Sequence, residues 1–271
     1  MLVLALDTST PSVTAGVVRL REPHEIIAAL AAAEAARNRA PEANQNSTTS
    51  AEAPQPGSAQ GAVELLAERS VSNAFAHAER LMPLAQEALA AAGIGFRELR
   101  AVVVGVGPGP FTGLRVGIAT AAALGDGLDI PVHGVPSHDG VARALAPLPG
   151  DLLVVTDARR REVYLSGYRS TGGRVFGPVV IAPSAVPELL AENDFVAAYL
   201  TGSGATLLAP QRSAGFDPVP LDSSTAFISV GLAERAGAAL LTGAIPGPLS
   251  PLYLRRPDAT EPGARKSVLG R

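Results

Sequence analysis

Residues 101–128 read AVVVGVGPGPFTGLRVGIATAAALGDGL, a short apolar run that passes through a glycine and proline corner into a helix. Val102 to Val106 is too short and too β-branched for a helix of its own, which predicts a buried strand. Thr112 is expected to cap the helix that follows. Within that helix Gly113, Gly117, Ala121 and Gly125 recur every fourth position and so share one face. A face this bare predicts that something large approaches it closely.

A glycine corner between strand and helix is also where phosphates bind, because free N–H groups and the helix dipole favour anions. The donors are short here. Pro108 and Pro110 carry no N–H, no Lys follows as in GxxxxGK[ST], and Gly107, Gly109 and Gly113 do not give GxGxxG spacing. The corner is read as a packing device.

Upstream, Leu2 to Leu6 is an apolar strand ending in Asp7, Thr8, Ser9 and Thr10, with Val13 to Val18 its hairpin partner across Pro11 and Ser12. A strand-end carboxylate beside hydroxyls has the chemistry to hold magnesium and nucleotide phosphates, so Asp7, Thr8 and Ser9 are nucleotide candidates. DTST lacks the glycine that would let the backbone wrap a phosphate closely. From Ala31 to Ala62 there is no Val, Ile, Leu, Met or aromatic residue. An alanine-rich helix could extend over Glu25 to Arg39, and Pro41 to Gly61 is expected to be a mobile insertion inside a three-stranded meander that resumes at Val63 to Val71. Phe75 to Ala92 is a helix with Leu81, Leu84, Ala88 and Leu89 as its stripe, kinked by Pro83 or beginning near Met82.

Downstream, Val132 to Val135 reads as a strand and Ser137 to Leu145 as a helix, closing a first lobe at 1–148. Strands over Leu152 to Thr156, Glu162 to Tyr168, Arg174 to Val180 and Val196 to Thr201, with helices over Ser184 to Leu190 and Thr225 to Leu241, form a second lobe at 149–245. Strands first and helices after, in both halves, predict an α/β fold of two similar lobes. Residues 246–271 read as a solvated tail, and its Arg255, Arg256, Arg265 and Lys266 could touch RNA phosphates.

Composition narrows the function. The formal charge of −3 gives no general attraction to nucleic acid, and the absence of cysteine excludes disulfides and thiolate metal sites. No apolar run approaches a membrane span. No charged-then-apolar leader precedes the first strand, so a cytoplasmic protein is expected. The four histidines include His77, but the residue four positions on is Leu81, so a helix-face metal pair is absent. Asp157 to Glu162 reads as a charged hairpin tip, and no nucleophile setting such as GxSxG is visible.

LALDTST at 4–10, HAERLMP at 77–83, GVGPGPFTGLRVG at 105–117, DARRREVY at 157–164 and SPLYLRR at 250–256 together resemble, in order and spacing, the TsaB family. Its members are dimerisation subunits of the bacterial machinery that makes threonylcarbamoyladenosine beside the tRNA anticodon. Pro110, often Ser in the family, and the long insertion are departures. The resemblance implies the fold of the actin, sugar-kinase and chaperone ATPase superfamily, with a cleft between two similar lobes. It also implies a non-catalytic sister of TsaD, the catalytic relative, which carries a metal-binding HxxxH where this chain has His77 and Leu81.

A partner interface is accordingly expected at His77, Arg80, Leu81, Leu84, Gly109, Phe111, Gly113 and Gly117. No tightly bound cofactor or metal is expected, with ATP or ADP at the partner junction, TsaD and the TsaE ATPase as partners, a homodimer as a further arrangement, and tRNA reached only through the complex. An independent ATPase, phosphotransferase or peptidase using the cleft is the competing reading. The glycine missing from DTST and the leucine at 81 weigh against it. A self-associating protein with another client is the third.

Overall fold

In the computed structural model, which describes residues 1–28, 62–72, 77–211, 216–222 and 227–255, ten strands form two sheets built to one plan. The first contains β1 (Leu2–Asp7), β2 (Ser12–Leu20), β3 (Val63–Ser72), β4 (Ala101–Gly105) and β5 (Val132–Val135), ordered β3-β2-β1-β4-β5. The second contains β6 (Leu152–Asp157), β7 (Val163–Tyr168), β8 (Arg174–Ile181), β9 (Tyr199–Thr201) and β10 (Val219–Pro220), ordered β8-β7-β6-β9-β10. In each, three antiparallel strands make a meander and two parallel strands extend it from the first strand's free edge. The two sheets share one topology without a visible sequence repeat, which matches the expected α/β fold of two similar lobes.

The central strands are apolar on both faces because both faces are covered. Helices α1 (His77–Ala91) and α2 (Phe111–Leu128) lie on the face carrying Leu4, Leu6, Val102 and Val104. The opposite face, Val3, Ala5 and Val103, is covered by α5 (Ile228–Leu241) through Val230, Leu232, Ala233 and Ala236. Helix α5 thus completes the first lobe although its sequence falls in the stretch 149–245 read as the second. The physical reason is that α1 and α2 occupy one side, leaving the other to be buried by a later helix. The second sheet is covered by α4 (Val186–Glu192) through Val186 and Leu190, and on its other side by α3 (Ser137–Leu145).

Several expectations change. Helix α1 covers His77–Ala91 among the described residues and carries Pro83 inside it. Helix α2 begins at Phe111 after Pro110, without a side-chain cap, and Thr112 is exposed in its first turn. Leu81 and Leu84, expected at a partner interface, are core residues with 0 and 3% exposure. The Gly113–Gly117–Ala121–Gly125 face is likewise buried inside the chain. A side chain at Gly117 would overlap Thr8, and one at Gly125 would overlap Val132. The large object approaching that face is the lobe's own β1 turn and β5. Part of the expected tail is also fixed: Leu249 and Leu252 pack on the first core and the Leu252 N–H donates to Val106 O at 2.8 Å. The insertion at 40–61, most of the proposed 25–39 helix, and Arg256, Arg265 and Lys266 lie outside the described residues.

The two sheets are joined through the first turn of α3. Ser137, His138 and Asp139 are 2, 1 and 3% exposed, and each reaches a different part of the molecule. Ser137 Oγ donates to Asp7 Oδ2 at 2.5 Å and accepts from the Gly107 N–H at 3.2 Å. His138 sits on the second sheet, its Nδ1 2.9 Å from Ser166 Oγ and its Nε2 2.9 Å from Thr156 Oγ1. Either hydroxyl can donate or accept, so the neutral ring is satisfied in both tautomers. Asp139 accepts from the Tyr168 hydroxyl at 2.8 Å and meets Arg174 at 3.3 Å and Arg235 of α5 at 3.4 Å. Close helix crossing supports the set, since a side chain at Gly231 would overlap the Gly140 backbone of α3.

Burial, aided by the Arg174 charge, pushes the His138 pKa down to about 3. Between that value and 6.5 the unfolded chain binds the additional proton, so this contribution to stability is complete above the unfolded value and is lost as pH falls towards 3. Chemical denaturation should therefore show the parent losing about 2 kcal/mol more than His138→Gln between pH 7 and pH 5. Gly105→Ala should also be costly, because its methyl group would overlap Asp7 Oδ2 and crowd Ser137 Oγ. The expected loss is about 1 to 3 kcal/mol, read as a lower melting temperature.

Candidate functional site

The strand-end turn at Asp7 to Ser9 is committed to the chain's own interior. Asp7, Thr8 and Ser9 are 2, 0 and 2% exposed. Asp7 Oδ1 accepts from the Ser9 N–H at 2.9 Å and Ser9 Oγ at 2.7 Å, while Oδ2 accepts from Ser137. Thr8 Oγ1 donates to Gly113 O at 2.7 Å. The corner glycines seat this turn: a side chain at Gly109 would overlap the Ser9 carbonyl, and one at Gly105 would overlap Asp7. The expectation that these three residues present a nucleotide or magnesium site is corrected by this geometry. Their polar atoms are engaged and covered by the glycine corner.

A cleft of about 710 Å³ lies beside that corner. Gly109, Pro110 and Phe111 of the α2 entrance, Asp157, Ala158, Arg159 and Tyr164 of the β6–β7 hairpin, and Tyr253, Leu254 and Arg255 of the C-terminal segment line it. Three stretches far apart in sequence, GVGPGPFTGLRVG, DARRREVY and SPLYLRR, thus meet in one place. Phe111, 49% exposed, stacks on Tyr253, 42% exposed, with ring centroids 4.9 Å apart. Arg115 lies 3.8 Å over the Phe111 ring and donates to the Tyr253 hydroxyl at 3.0 Å. This combines ring stacking, cation–π attraction and a hydrogen bond on an exposed surface.

Across the cleft, Arg255 ties the C-terminal segment to the hairpin, donating to Ala158 O at 3.0 Å and pairing with Glu162 at 3.4 Å. The hairpin tip is backbone-strained. Arg159, Arg160 and Arg161 have φ of 66, 51 and 64°, the left-handed region that ordinary side chains avoid. Asp157 Oδ1 holds the turn by accepting from the Arg159 N–H at 2.7 Å. Tyr164 is next along the strand, 5% exposed, and burial pushes its hydroxyl pKa up.

Of the residues expected at an interface, Gly109 and Phe111 line the cleft, Arg80 is exposed on α1, and His77 is the first described residue of that helix. Leu81, Leu84, Gly113 and Gly117 are interior and do not join them. Among the described residues no three His, Asp or Glu side chains are grouped as a metal site. Sequence reasoning missed Arg115, Tyr164 and Tyr253. The available signal was scarcity: a chain with seven Phe, four Tyr and no Trp places Phe111, Tyr164 and Tyr253 within or beside motifs rich in arginine.

The outward side of α2 is a second surface. Phe111, Arg115, Ala119 and Ala123 are exposed at four-residue spacing, with Ala122 half-buried beside them. They lie roughly 200° around the helix from the buried glycine face, because the two rows are two residues out of phase. The small-residue face that is exposed is therefore the alanine row, not the glycine row.

The family described as "TsaD: tRNA N6-adenosine threonylcarbamoyltransferase" matches residues 65–234, more than half of the chain. An uncharacterized protein of Mycobacterium tuberculosis is 40% identical over 262 residues, covering 95% of this chain and 93% of its own length. The tRNA threonylcarbamoyladenosine biosynthesis protein TsaB of Haemophilus influenzae is 38% identical over 92 residues, 33% of this chain and 39% of that protein. Among solved structures, an uncharacterized Pseudomonas aeruginosa protein with similarity to peptidase YeaZ superposes with a TM-score of 0.55 at 24% identity, covering 92% of this chain and 99% of that one. This last likeness is one of fold. The extent of the family match, together with the TsaB-named relatives, places the chain in the TsaD family of tRNA N6-adenosine threonylcarbamoyltransferases, as a TsaB-like member.

Proposed function

We propose that this chain is a non-catalytic subunit that pairs with a TsaD-type catalytic subunit, enabling threonylcarbamoyl transfer to a tRNA adenosine beside the anticodon. The observation that carries this reading is the sealed turn at Asp7 to Ser9, which turns the strand-end polar groups inward and leaves the outer helix surface for recognition. Three further features support it. Relatives bear the names TsaB and tRNA N6-adenosine threonylcarbamoyltransferase. Leu81, which the resemblance to the family places where the catalytic relative has its second metal-binding histidine, is a fully buried core residue. The alanine row of α2 offers a bare surface suited to close approach by another helix.

On this proposal the partner's helices pack against α2 along Phe111, Arg115, Ala119 and Ala123, with Arg80 of α1 at the rim. A TsaE-type ATPase, with its ATP or ADP, sits beside that junction, and tRNA is reached only through the assembled complex. A homodimer through the same face is the competing arrangement and would be displaced by the catalytic subunit.

Ala119→Arg combined with Ala123→Arg should leave the melting temperature within a few degrees, since both residues are exposed. Affinity for the TsaD-type subunit, measured by calorimetry, should fall at least about tenfold through steric and charge conflict. Leu81→Glu is the contrasting variant: it places a carboxylate in the core and should unfold the chain rather than selectively weaken binding. Undiminished affinity in the double-arginine variant would remove α2 from the interface. Threonylcarbamoyl transfer by this chain without a partner would overturn the non-catalytic reading.

A further inference from the structure

Tyr164 is the feature of the cleft that packing does not explain. It lies on the β7 face that also presents Ser166 to His138 and Tyr168 to Asp139, so three polar side chains point the same way along one strand. Ser166 and Tyr168 are hydrogen-bonded. The Tyr164 hydroxyl has no hydrogen-bond partner among the described residues, although the residue is 95% removed from solvent. Because no fully buried side-chain oxygen among those residues is left unpaired, this hydroxyl retains access, and it does so through the cleft that it lines. A hydroxyl that opens only into the cleft is free to donate to, or accept from, whatever occupies that cleft.

Its surroundings define the visitor. Among the described residues nothing holds the Arg159 guanidinium, which stands at the cleft on a left-handed backbone that Asp157 fixes. Arg255 is engaged by Glu162 and the Ala158 carbonyl and acts as wall. Asp157 uses one carboxylate oxygen on the Arg159 N–H and leaves the other for a donor. Phe111 and Tyr253 supply an aromatic flank. The volume falls in the range of small-molecule sites, roughly 300 to 1,000 Å³.

We propose that the cleft binds a small ligand combining a flat ring, an anionic group and a hydrogen-bond donor. The anion accepts from the Tyr164 hydroxyl and the Arg159 guanidinium, the donor reaches Asp157, and the ring lies against Phe111 and Tyr253. A nucleoside monophosphate and an aromatic amino acid both have this chemistry. The site belongs to this chain alone and does not depend on the partner reading; Phe111, shared with the docking face, is left unaltered in the test.

The test is calorimetric titration of the full chain with AMP and with L-phenylalanine, alongside adenosine, which lacks the anion, and inorganic phosphate, which lacks the ring. At least one of the first two should bind with a dissociation constant below about 1 mM, and both controls at least about tenfold more weakly. Tyr164→Phe keeps the ring and should weaken that binding about tenfold without lowering the melting temperature, because the hydroxyl has no partner in the protein to lose. Arg159→Asn, chosen because asparagine tolerates the left-handed backbone, should weaken it at least as much. A hydroxyl with a purely structural role would instead give a lower melting temperature and unchanged titrations. The proposal is overturned if neither AMP nor L-phenylalanine binds with a dissociation constant below about 1 mM. Equal binding of a control, or titrations unaffected by both substitutions, would overturn it as well.

Discussion

The relation of the two lobes depends on three consecutive buried polar residues at the start of α3. Ser137 holds the end of β1, His138 the two central strands of the second sheet, and Asp139 both β7 and the helix that covers the first sheet from behind. Polar groups are expensive to bury, and these are tolerable because each finds hydrogen-bond partners on the element it meets. A network of this kind has little freedom to slide, unlike an apolar contact, which is non-directional. The lobes are thereby fixed through directional bonds, and the cleft beside them takes its shape from that placement.

Close backbone approach is the second constraint, and glycine supplies it. Gly105 makes room for Asp7 and Ser137, Gly109 for the Ser9 carbonyl, and Gly117 for Thr8. Each is a place where a methyl group would occupy the position of a polar atom in the β1 turn. The same corner that resembles a phosphate cradle in sequence is therefore filled by the chain's own side chains. What remains accessible is displaced outward, to the aromatic and arginine cleft and to the alanine row of α2. That displacement is what supports the proposed role in recognition.

The C-terminal segment shows how a region poor in regular structure can still be tied down. Leu252 joins the first lobe through Val106, Tyr253 stacks on Phe111, and Arg255 reaches the hairpin of the second. Between Leu252 and Arg255 the chain crosses from one lobe to the other and forms one wall of the cleft. Its SPLYLRR motif reads as a tail by composition and acts as a strap by contact.

Sequence alone determined the local elements and the family. The strands around Leu4, Val103, Leu153 and Leu165 were legible because apolar, β-branched runs of that length have few other stable arrangements, and the motif order carried the resemblance to TsaB. The presence of a bare face on α2 was legible for the same reason, since four-residue spacing fixes which residues share a side. What met that face was not. Local periodicity cannot distinguish a partner's helix from the molecule's own β1 turn, and the same ambiguity put Leu81 and Leu84 at an interface instead of in the core. Only the tertiary structure decided that α5 covers the first sheet, that Ser137, His138 and Asp139 join the lobes, and that Phe111, Arg159, Tyr164 and Tyr253 share one cleft. Those facts are set by contacts between residues 18 to 142 positions apart, where burial and directional hydrogen bonds choose among surfaces that the sequence pattern leaves equivalent.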